Sequence, residues 1–574
     1  MSRPSSLLLY STAALLSVLA CTALPPHASG ASLSSQVTTE IRSILAEPHP
    51  PRLVLGSPVY LNDQLLPDFY RDRDFRPAWI GDLGLTPTAW ELLDLIRSAG
   101  LEGLCPEDYH LLDIEPLVGL EKDYRPYGIL FDPGYMARLD LLLTDAFFLY
   151  GSDLMDGRVD PEAIHEGWHA RPRPPDLSRL LREALSGRGV SPVLDSLVPP
   201  HEGYRRLRKV LEDYRRISAL GGWPAIPAGP VLRPGARDGR LSLLKARLRL
   251  SGDLTETPAE SENFFDGETR AGLIRFQSRH GLSADGVLGP RTWAALNIPV
   301  EERIRQIEIN LERWRWMRQN LGNRYLMVNI ADFTLEVVEE GRSVMSMPVV
   351  VGTSYRKTPV FSARMTYLEF APYWTVPSTI LREDKLPLIK KDPGWLARHN
   401  YEIVPWSGET TEIIDPSVID WKKVEARTFP GNLRMKPGPQ NRLGRIKFMF
   451  PNRFAVYLHD TPERYLFARD IRSYSSGCIR VERPLDLAQY LLEKATEWDC
   501  DLILDALESD VPLTVNLPAS WPVHIFYWTA WVDEEGALQF RDDFYLRDLD
   551  LELALIRSLE RTKSEAGKML TAGP

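Results

Sequence analysis

Residues 454–484 read FAVYLHDTPERYLFARDIRSYSSGCIRVERP. The apolar run stops at His459, and Asp460-Thr461-Pro462 follows at once, which leaves an imidazole at a strand mouth. Further on, Ser475-Ser476-Gly477-Cys478 makes a tight turn before the β-branched stretch Ile479-Arg480-Val481. A glycine just ahead of Cys478 lets backbone N–H groups come close to a substrate oxygen. Three readings of Cys478 are open on these residues: nucleophile, disulfide partner, or small apolar packing residue. A thiol attacks as the thiolate, which needs a nearby base or positive potential and donors for the oxyanion that develops. The first reading therefore requires His459 to meet Cys478 across neighbouring strands. Taken alone, a cysteine is more often buried packing.

Outward from this stretch the pattern is that of a β-rich domain. RYLMVNIADFTLEVVEEGRSVMSMPVVVG (324–352) holds strand-like runs with Glu340-Gly341 between two of them, and strand-like segments recur at MTYLEFAPYWTV (365–376), IKFMF (446–450) and HIFYWTAWV (524–532). The domain is expected over 323–546, with a C-terminal helix and tail over 547–574. A Trp-, Pro- and Lys-containing insertion at about 377–437 is too long for a simple hairpin. A lid over a cleft and a passive surface elaboration are both open.

Upstream, EERIRQIEINLERWRWMRQNL (301–321) carries Ile304, Ile307, Leu311, Trp314 and Leu321 at helical spacing, which predicts a connecting helix over 300–322. Residues 35–222 are expected to be all-α: LTPTAWELLDLIRSAGLEG (85–103) places Leu92, Leu93, Leu95 and Ile96 on one face, and YMARLDLLLTDAFFLY (135–150) is apolar enough to be buried. Pro224 to Pro234 breaks this region as a linker. Between them, DGETRAGLIRFQSRHGL (266–282) and DGVLGPRTWAALN (285–297) echo one another, with an Asp-Gly turn in each and Thr269 or Thr292 near a helix start, where a hydroxyl can cap free N–H groups. Leu273, Phe276, Leu282, Val287, Trp293 and Leu296 would form a small helical core.

At 574 residues, with 44% hydrophobic and 25% charged residues and fifteen tryptophans, the chain is globular and too long for one core. A net charge of −10 argues against bulk nucleic-acid binding, and the basic run Tyr204 to Arg216 reads as a solvated helix face. Residues 1–30, with Arg3, an apolar stretch from Leu7 to Leu19 and small residues beyond, resemble an export signal cleaved near Ala28-Ser29-Gly30. An uncleaved anchor reaching Leu24 is the alternative; Leu19 makes a poor setting for lipidation of Cys21. Cys105, Cys478 and Cys500 would then be an odd set, in which Cys105 and Cys500 are candidates to bridge.

Two stretches resemble known families. Asp266-Gly267, Phe276-Gln277, Gly281-Leu282, Asp285-Gly286, Gly289 and Thr292-Trp293 resemble the peptidoglycan-binding family of three-helix modules, over residues 239–298. Residues 459–484 resemble the signature of the L,D-transpeptidase family, in which a strand-end His precedes a Ser-x-Gly-Cys-x-Arg-Val segment, and RMKPGPQNRLGRIKFMFPN (434–452) is similar to the run that leads into it in the large multidomain branch. The common pattern has His before Gly-Cys; here Ser476 stands there, which places the weight of base catalysis on His459.

The resemblance implies a multidomain α+β chain with a helical scaffold, a small peptidoglycan-binding module and a β-sheet-rich catalytic domain. It implies a cysteinyl thioester on Cys478 with His459 as base, loss of D-alanine, and a 3→3 cross-link between stem peptides. It implies no cofactor or metal, peptidoglycan stem peptides as partners, acylation by carbapenem-type inhibitors, and a periplasmic setting with a possible N-terminal membrane tether. Gly477, Ser476 and Ser475 are candidates around the oxyanion; Arg480 either binds a substrate carboxylate or braces the turn; Tyr373 and Trp374 are candidates to line the cleft. Asp460, or a backbone carbonyl in its place, would orient His459. Rival readings are hydrolysis of the thioester, attachment of a lipoprotein to a stem, and a non-catalytic wall-binding protein. One further motif, His165-Glu166-Gly167-Trp168-His169, fits H-E-x-x-H, a zinc signature when helical. Gly167 and the proline-rich run after it predict a polar loop instead.

Overall fold

The computed structural model describes residues 32–46, 52–54, 58–60, 65–124, 132–165, 168, 176–255, 262–406, 412–493 and 498–557. The expected leader and most of the expected tail lie outside them. Among the described residues no helix is long and apolar enough to cross a membrane.

The N-terminal region is built around the helix Pro133–Asp156. Asp132 accepts the Gly134 N–H at 2.7 Å, and Pro133 takes a first-turn position where a missing donor costs nothing. Leu33–Leu45, Leu65–Asp72 and Pro87–Arg97 pack around this helix. Within it the carboxylate of Asp140 is buried, and it accepts from the N–H groups of Ala78, Trp79 and Ile80 at 2.9, 2.7 and 3.1 Å and from the Tyr70 hydroxyl at 2.5 Å. Those donors offset the cost of taking the group out of water. The region is not wholly helical, because Arg52–Val54 pairs with Pro58–Tyr60 and Ile80–Gly81 pairs with Gly84–Leu85. Cys105 is a free thiol that donates to Glu107 at 2.8 Å, so the bridge to Cys500 does not form.

The basic run falls on the helix Glu202–Ala219, but its face is less solvated than expected. Tyr204, Leu207, Leu211 and Tyr214 are buried, and Arg208 and Arg215 pair with Glu102 and Glu308. The peptidoglycan-binding-like module contains Arg240–Leu250, Gly267–Arg279 and Pro290–Leu296 around Leu273, Phe276 and Leu296. Leu288 fills the core place expected for Val287. Asp266, rather than a threonine, caps the middle helix by accepting from Thr269 N–H at 2.7 Å, while the Thr292 hydroxyl accepts from Gln277 at 3.1 Å. A carboxylate three residues earlier reaches the free N–H groups better than the threonine inside the turn.

The connecting helix Val300–Arg315 joins the parts. Its Ile307, Leu311 and Trp314 pack against Glu202–Ala219 and against the hairpin Ala530–Val532 with Leu538–Phe540, and buried Arg313 pairs with Asp548 at 2.6 Å. Nine strands then form one sheet, in the order 473–475, 342–352, 479–481, 458–459, 446–449, 361–370, 513–526, 324–329 and 334–339. Thr334–Glu339 also pairs with Arg342–Gly352, so eight of the strands close on themselves and only the short Ser473–Ser475 stands outside the ring. Closure removes the exposed edges that an open sheet would leave. The helix over 547–557 is part of this domain rather than a tail, since Leu551 is fully buried in the same core.

The insertion carries its own small core, with Ile389, Leu396, Ile403, Phe429 and Leu433 buried around the strands Trp374–Thr375, Tyr401–Val404 and Asn432–Met435.

Candidate active site

The strand Leu458–His459 lies between Ile446–Met449 and Ile479–Val481, with His459 opposite Lys447 on one side and Arg480 on the other. The Ile479 N–H donates to the Tyr457 carbonyl at 3.1 Å, which sets Cys478 beside Tyr457. Val456 and Leu458 belong to the core, while Tyr457, which also packs against that core, and His459 line the cleft. Cys478 and His459 line one cleft of about 460 Å³, together with Trp374, Lys385, Arg442 and Arg480.

The turn that presents the thiol is fixed from several sides. Gly477 has φ +114°, a conformation that side chains resist. The Ser475 hydroxyl accepts the Gly477 N–H at 3.1 Å and donates to the Cys478 carbonyl at 2.5 Å, so Ser475 braces the turn from within. Thr358 donates its hydroxyl to the Gly477 carbonyl at 2.9 Å and accepts the Gly352 N–H at 2.9 Å. Tyr545 closes the set, donating to the Gly352 carbonyl at 2.5 Å and accepting the Thr358 N–H at 3.1 Å. Gly352 permits this approach, because a Cβ there would lie 2.1 Å from the Arg356 carbonyl oxygen. With the Gly477 N–H engaged, the Cys478 N–H is the donor left for an oxyanion among those proposed.

The imidazole of His459 is buried, and its Nδ1 meets the Asp460 carbonyl oxygen at 2.5 Å. A carbonyl only accepts, so Nδ1 carries the hydrogen of the neutral ring. The backbone carbonyl thus does the orienting, and the Asp460 carboxylate is occupied elsewhere, accepting the Arg445 N–H at 2.9 Å. Burial, with Arg480 adding to it, pushes His459 down to about 3, against the pull of the Asp460 and Leu443 carbonyls. Burial also raises the Cys478 thiol, while Tyr457, Lys447 and Arg480 act the other way. Among the described residues no hydrogen bond joins His459 to Cys478; the thiol contacts the Ala455 carbonyl at 3.8 Å and the Tyr457 hydroxyl. Apo sites commonly hold their acid–base partners slightly apart, tightening when substrate binds.

Arg480 lines the cleft and forms an ion pair with Glu463, which Arg442 also engages at 2.6 Å. Trp374 lines the cleft and belongs to the core of the insertion. Tyr373 is not among the cleft-lining residues; the Arg434 guanidinium stacks over its ring at 4.0 Å, because consecutive residues on an extended strand face opposite ways. Ser476 has a defined partner, accepting from Arg356 at 3.0 Å, and Arg356 also pairs with Asp384 at 2.8 Å and Glu383 at 2.6 Å in the insertion. One guanidinium therefore ties the insertion to the residue two places before Cys478.

Residues 323–503 match the family model of the L,D-transpeptidase catalytic domain, and both Cys478 and His459 fall within the match. The chain carries an L,D-transpeptidase catalytic domain. Residues 237–296 match a peptidoglycan-binding domain, provisionally so described, and residues 64–211 match a scaffold domain. A curated protein of Haemophilus influenzae, provisionally named an L,D-transpeptidase, is 36% identical over 231 residues, 40% of this chain and 46% of that protein. The chain therefore spans under half the length of that relative. Two solved L,D-transpeptidases align at low overlap. That of Xylanimonas cellulosilytica is 15% identical over 52% of this chain and 99% of its own, with a TM-score of 0.18. That of Mycobacterium smegmatis is 14% identical over 36% of this chain and 58% of its own, also with a TM-score of 0.18. Overlaps so slight bear on neither fold nor mechanism here.

The L,D-transpeptidase domain thus brings Cys478, His459, Gly477, Ser475, Ser476, Arg480 and Trp374 together and leaves Tyr373 out. It adds Tyr457, Thr358, Tyr545 and Arg356, which the motifs did not name. Tyr457 was within reach, two residues before His459 and so on the same side of the strand. Thr358 and Arg356 sit in the loop GTSYRKTP (352–359), whose Gly-Thr-Ser start after an apolar strand was the available signal. Nothing local marks Tyr545.

The zinc-like motif has a different fate. His165 ends the four-residue helix Pro161–Ile164 and is buried against Trp168, with ring centroids 5.7 Å apart, rather than sitting in a polar loop. Glu166, Gly167 and His169 lie outside the described residues. Among the described residues no group of His, Cys, Asp and Glu is placed to hold a metal.

Proposed function

We propose that this chain is a peptidoglycan L,D-transpeptidase that forms 3→3 cross-links through a thioester on Cys478. The observation that carries the reading is the shared cleft: a cysteine on a glycine turn and a histidine with its Nδ1 fixed, inside an L,D-transpeptidase domain that the same chain joins to a peptidoglycan-binding domain. Burial keeps both thiol and imidazole neutral at rest. The thiolate accordingly forms as attack proceeds, with the proton passing to the His459 imidazole. Sulfur adds to the carbonyl of the third stem residue, the bond to D-alanine breaks, and the proton leaves on the D-alanine amine. The amine of a neighbouring stem then adds to the thioester, the C–S bond breaks, and the thiol is restored. The Cys478 N–H and Tyr457 hydroxyl are the donors nearest the developing oxyanion.

The insertion acts as a lid in this scheme, its own core making it a unit and Arg356 its latch. Residues 1–30 act as an export signal or anchor that delivers the protein to the periplasm, and carbapenem-type compounds acylate Cys478. Ser476 marks membership of the large multidomain branch, where its hydroxyl takes the Arg356 hydrogen bond. No cofactor enters any step.

Incubating the full chain with tetrapeptide-stem muropeptides and reading products by mass spectrometry tests the proposal. Dimers lacking one D-alanine are expected, and none with Cys478→Ala. Shortened monomers without dimers would make the protein a hydrolase, and no product with either protein would leave a wall-binding role. Cell fractionation and the mass of the mature N-terminus test the export reading.

A further inference from the structure

Within the insertion, the turn Leu381–Lys385 is wound as a π-helix, and it faces two ways. Glu383 and Asp384 take the Arg356 guanidinium, and the next residue, Lys385, lines the catalytic cleft. A π-turn shifts side chains from the places that α-helical spacing would give them, and such turns recur at functional sites. The ammonium of Lys385 sits against a wall of three rings, 5.8 Å from the centre of Trp374, 5.4 Å from Trp395 and 5.7 Å from Tyr401. The rings support one another: Trp395 stacks on Tyr401 at 5.0 Å, and Tyr401 meets Trp374 at 6.2 Å.

The other cations of the cleft wall have acceptors. Arg356 has Glu383 and Asp384, Arg442 and Arg480 share Glu463, and Lys357 donates to the Tyr545 carbonyl at 2.7 Å. Among the described residues Lys385 has neither a carboxylate nor a hydrogen-bond acceptor in reach. It is half-buried, and its nitrogen stays accessible from the cleft. An ammonium carries three N–H donors, and ring faces attract its charge without accepting those hydrogens as an oxygen does. Burial, with Arg442 adding to it, pulls Lys385 below the ordinary lysine value, while Asp384 and Glu463 act the other way. A lysine short of acceptors, beside two arginines that share one carboxylate, leaves the cleft with a surplus of positive charge.

We infer that Lys385 is a specificity-determining residue that receives the terminal carboxylate of the donor stem, the one carried by the D-alanine about to leave. That carboxylate lies one residue beyond the carbonyl that Cys478 attacks, so a donor seated against the thiol brings it into the same cleft. Its oxygens accept from the ammonium on the open side, while the three rings hold the ammonium from behind and shield the pair from water. A neutral donor end would leave Lys385 as short of acceptors as before. The contact belongs to the first half of the reaction: when the bond to D-alanine breaks, the carboxylate departs with the new amine. Arg356 serves the same end at one remove, since by holding Glu383 and Asp384 it fixes the turn on which Lys385 stands. The inference rests on the transpeptidase reading and names how that site selects its donor.

The test uses the full chain and two tetrapeptide-stem donors that differ in one group, the terminal D-alanine carboxylate or its carboxamide. Acylation of Cys478 and the released D-alanine or D-alaninamide are followed by mass spectrometry. Wild type is expected to take the carboxylate donor with at least about tenfold higher kcat/KM, the scale of one charge-assisted hydrogen bond. Lys385→Met, which keeps an unbranched stem against the rings and removes the charge, is expected to lose most of that preference, and Lys385→Arg to keep most of it. The preference is a ratio within one preparation, so a less stable variant does not blur it. Equal use of both donors by wild type, or an undiminished preference in Lys385→Met, overturns the inference and leaves the transpeptidase reading standing. Failure of both donors to acylate Cys478 in wild type sinks that reading instead, and this one with it.

Discussion

His459 and His165 invite comparison. Both are buried, both are pushed to about 3, and they line two spaces that share wall residues at one turn, but the reasons for their settings differ. His459 belongs to a strand, pairs in register with its neighbours, and has Nδ1 fixed by the next residue's carbonyl. His165 sits at the end of a single helical turn some three hundred residues earlier, and among the described residues its Nε2 has no hydrogen-bond partner. One imidazole is built in by its own strand; the other is built in by parts of the chain that fold onto each other.

Cys478→Ala tests the strand side most severely. It is expected to abolish D-alanine release and dimer formation, measured by mass spectrometry. His459→Gln is next, with an expected loss of about 10²–10⁴ in the acylation rate if the ring is the base; a loss below tenfold, read by stopped acylation of Cys478, would remove His459 from that role. Gly352→Ala attacks the shared support: the new Cβ meets backbone at 2.1 Å, with an expected destabilisation of about 3 kcal/mol. Thermal unfolding followed by circular dichroism would measure it.

Acid brings the two histidines onto one scale. Each has a folded pKa near 3 against an ordinary value of 6.5, so the unfolded chain binds the proton more readily. Their stabilising contribution is complete above about pH 6.5 and falls as the pH drops towards 3, at about 1.4 kcal/mol per group per pH unit. Urea unfolding at a series of pH values is expected to show that slope, and His165→Phe to reduce it by about one proton. The smallest effect is expected for Arg356→Ala, which frees the insertion from Ser476: a rise of about threefold in donor KM, with little change in unfolding temperature. An unchanged KM would mean that the insertion needs no latch.

Much of this comparison was legible from residues. The alternating runs from Arg324 to Gly352 announced the sheet, and the spacing of Ile307, Leu311 and Trp314 announced the helix that leads into it. His459 and Cys478 stood out because local chemistry, a strand mouth and a glycine turn, marks each of them. The closure of the sheet was not readable, since it depends on one long strand finding partners on both sides. Tyr373 was misplaced for want of knowing which way an alternating pair would face, and His165 was expected in a polar loop because its burial depends on what folds over it. Partners far apart in sequence leave no periodic trace, which is why Arg356, Thr358 and Tyr545 were missed.

The bond from Tyr545 to Gly352 spans 193 positions of the chain. Residues emerge from the ribosome in order, and contacts of such separation form late. The loop that steadies the Cys478 turn must therefore wait until residue 545 has been made. Chains that stop short of Tyr545 carry the Cys478 thiol without this support.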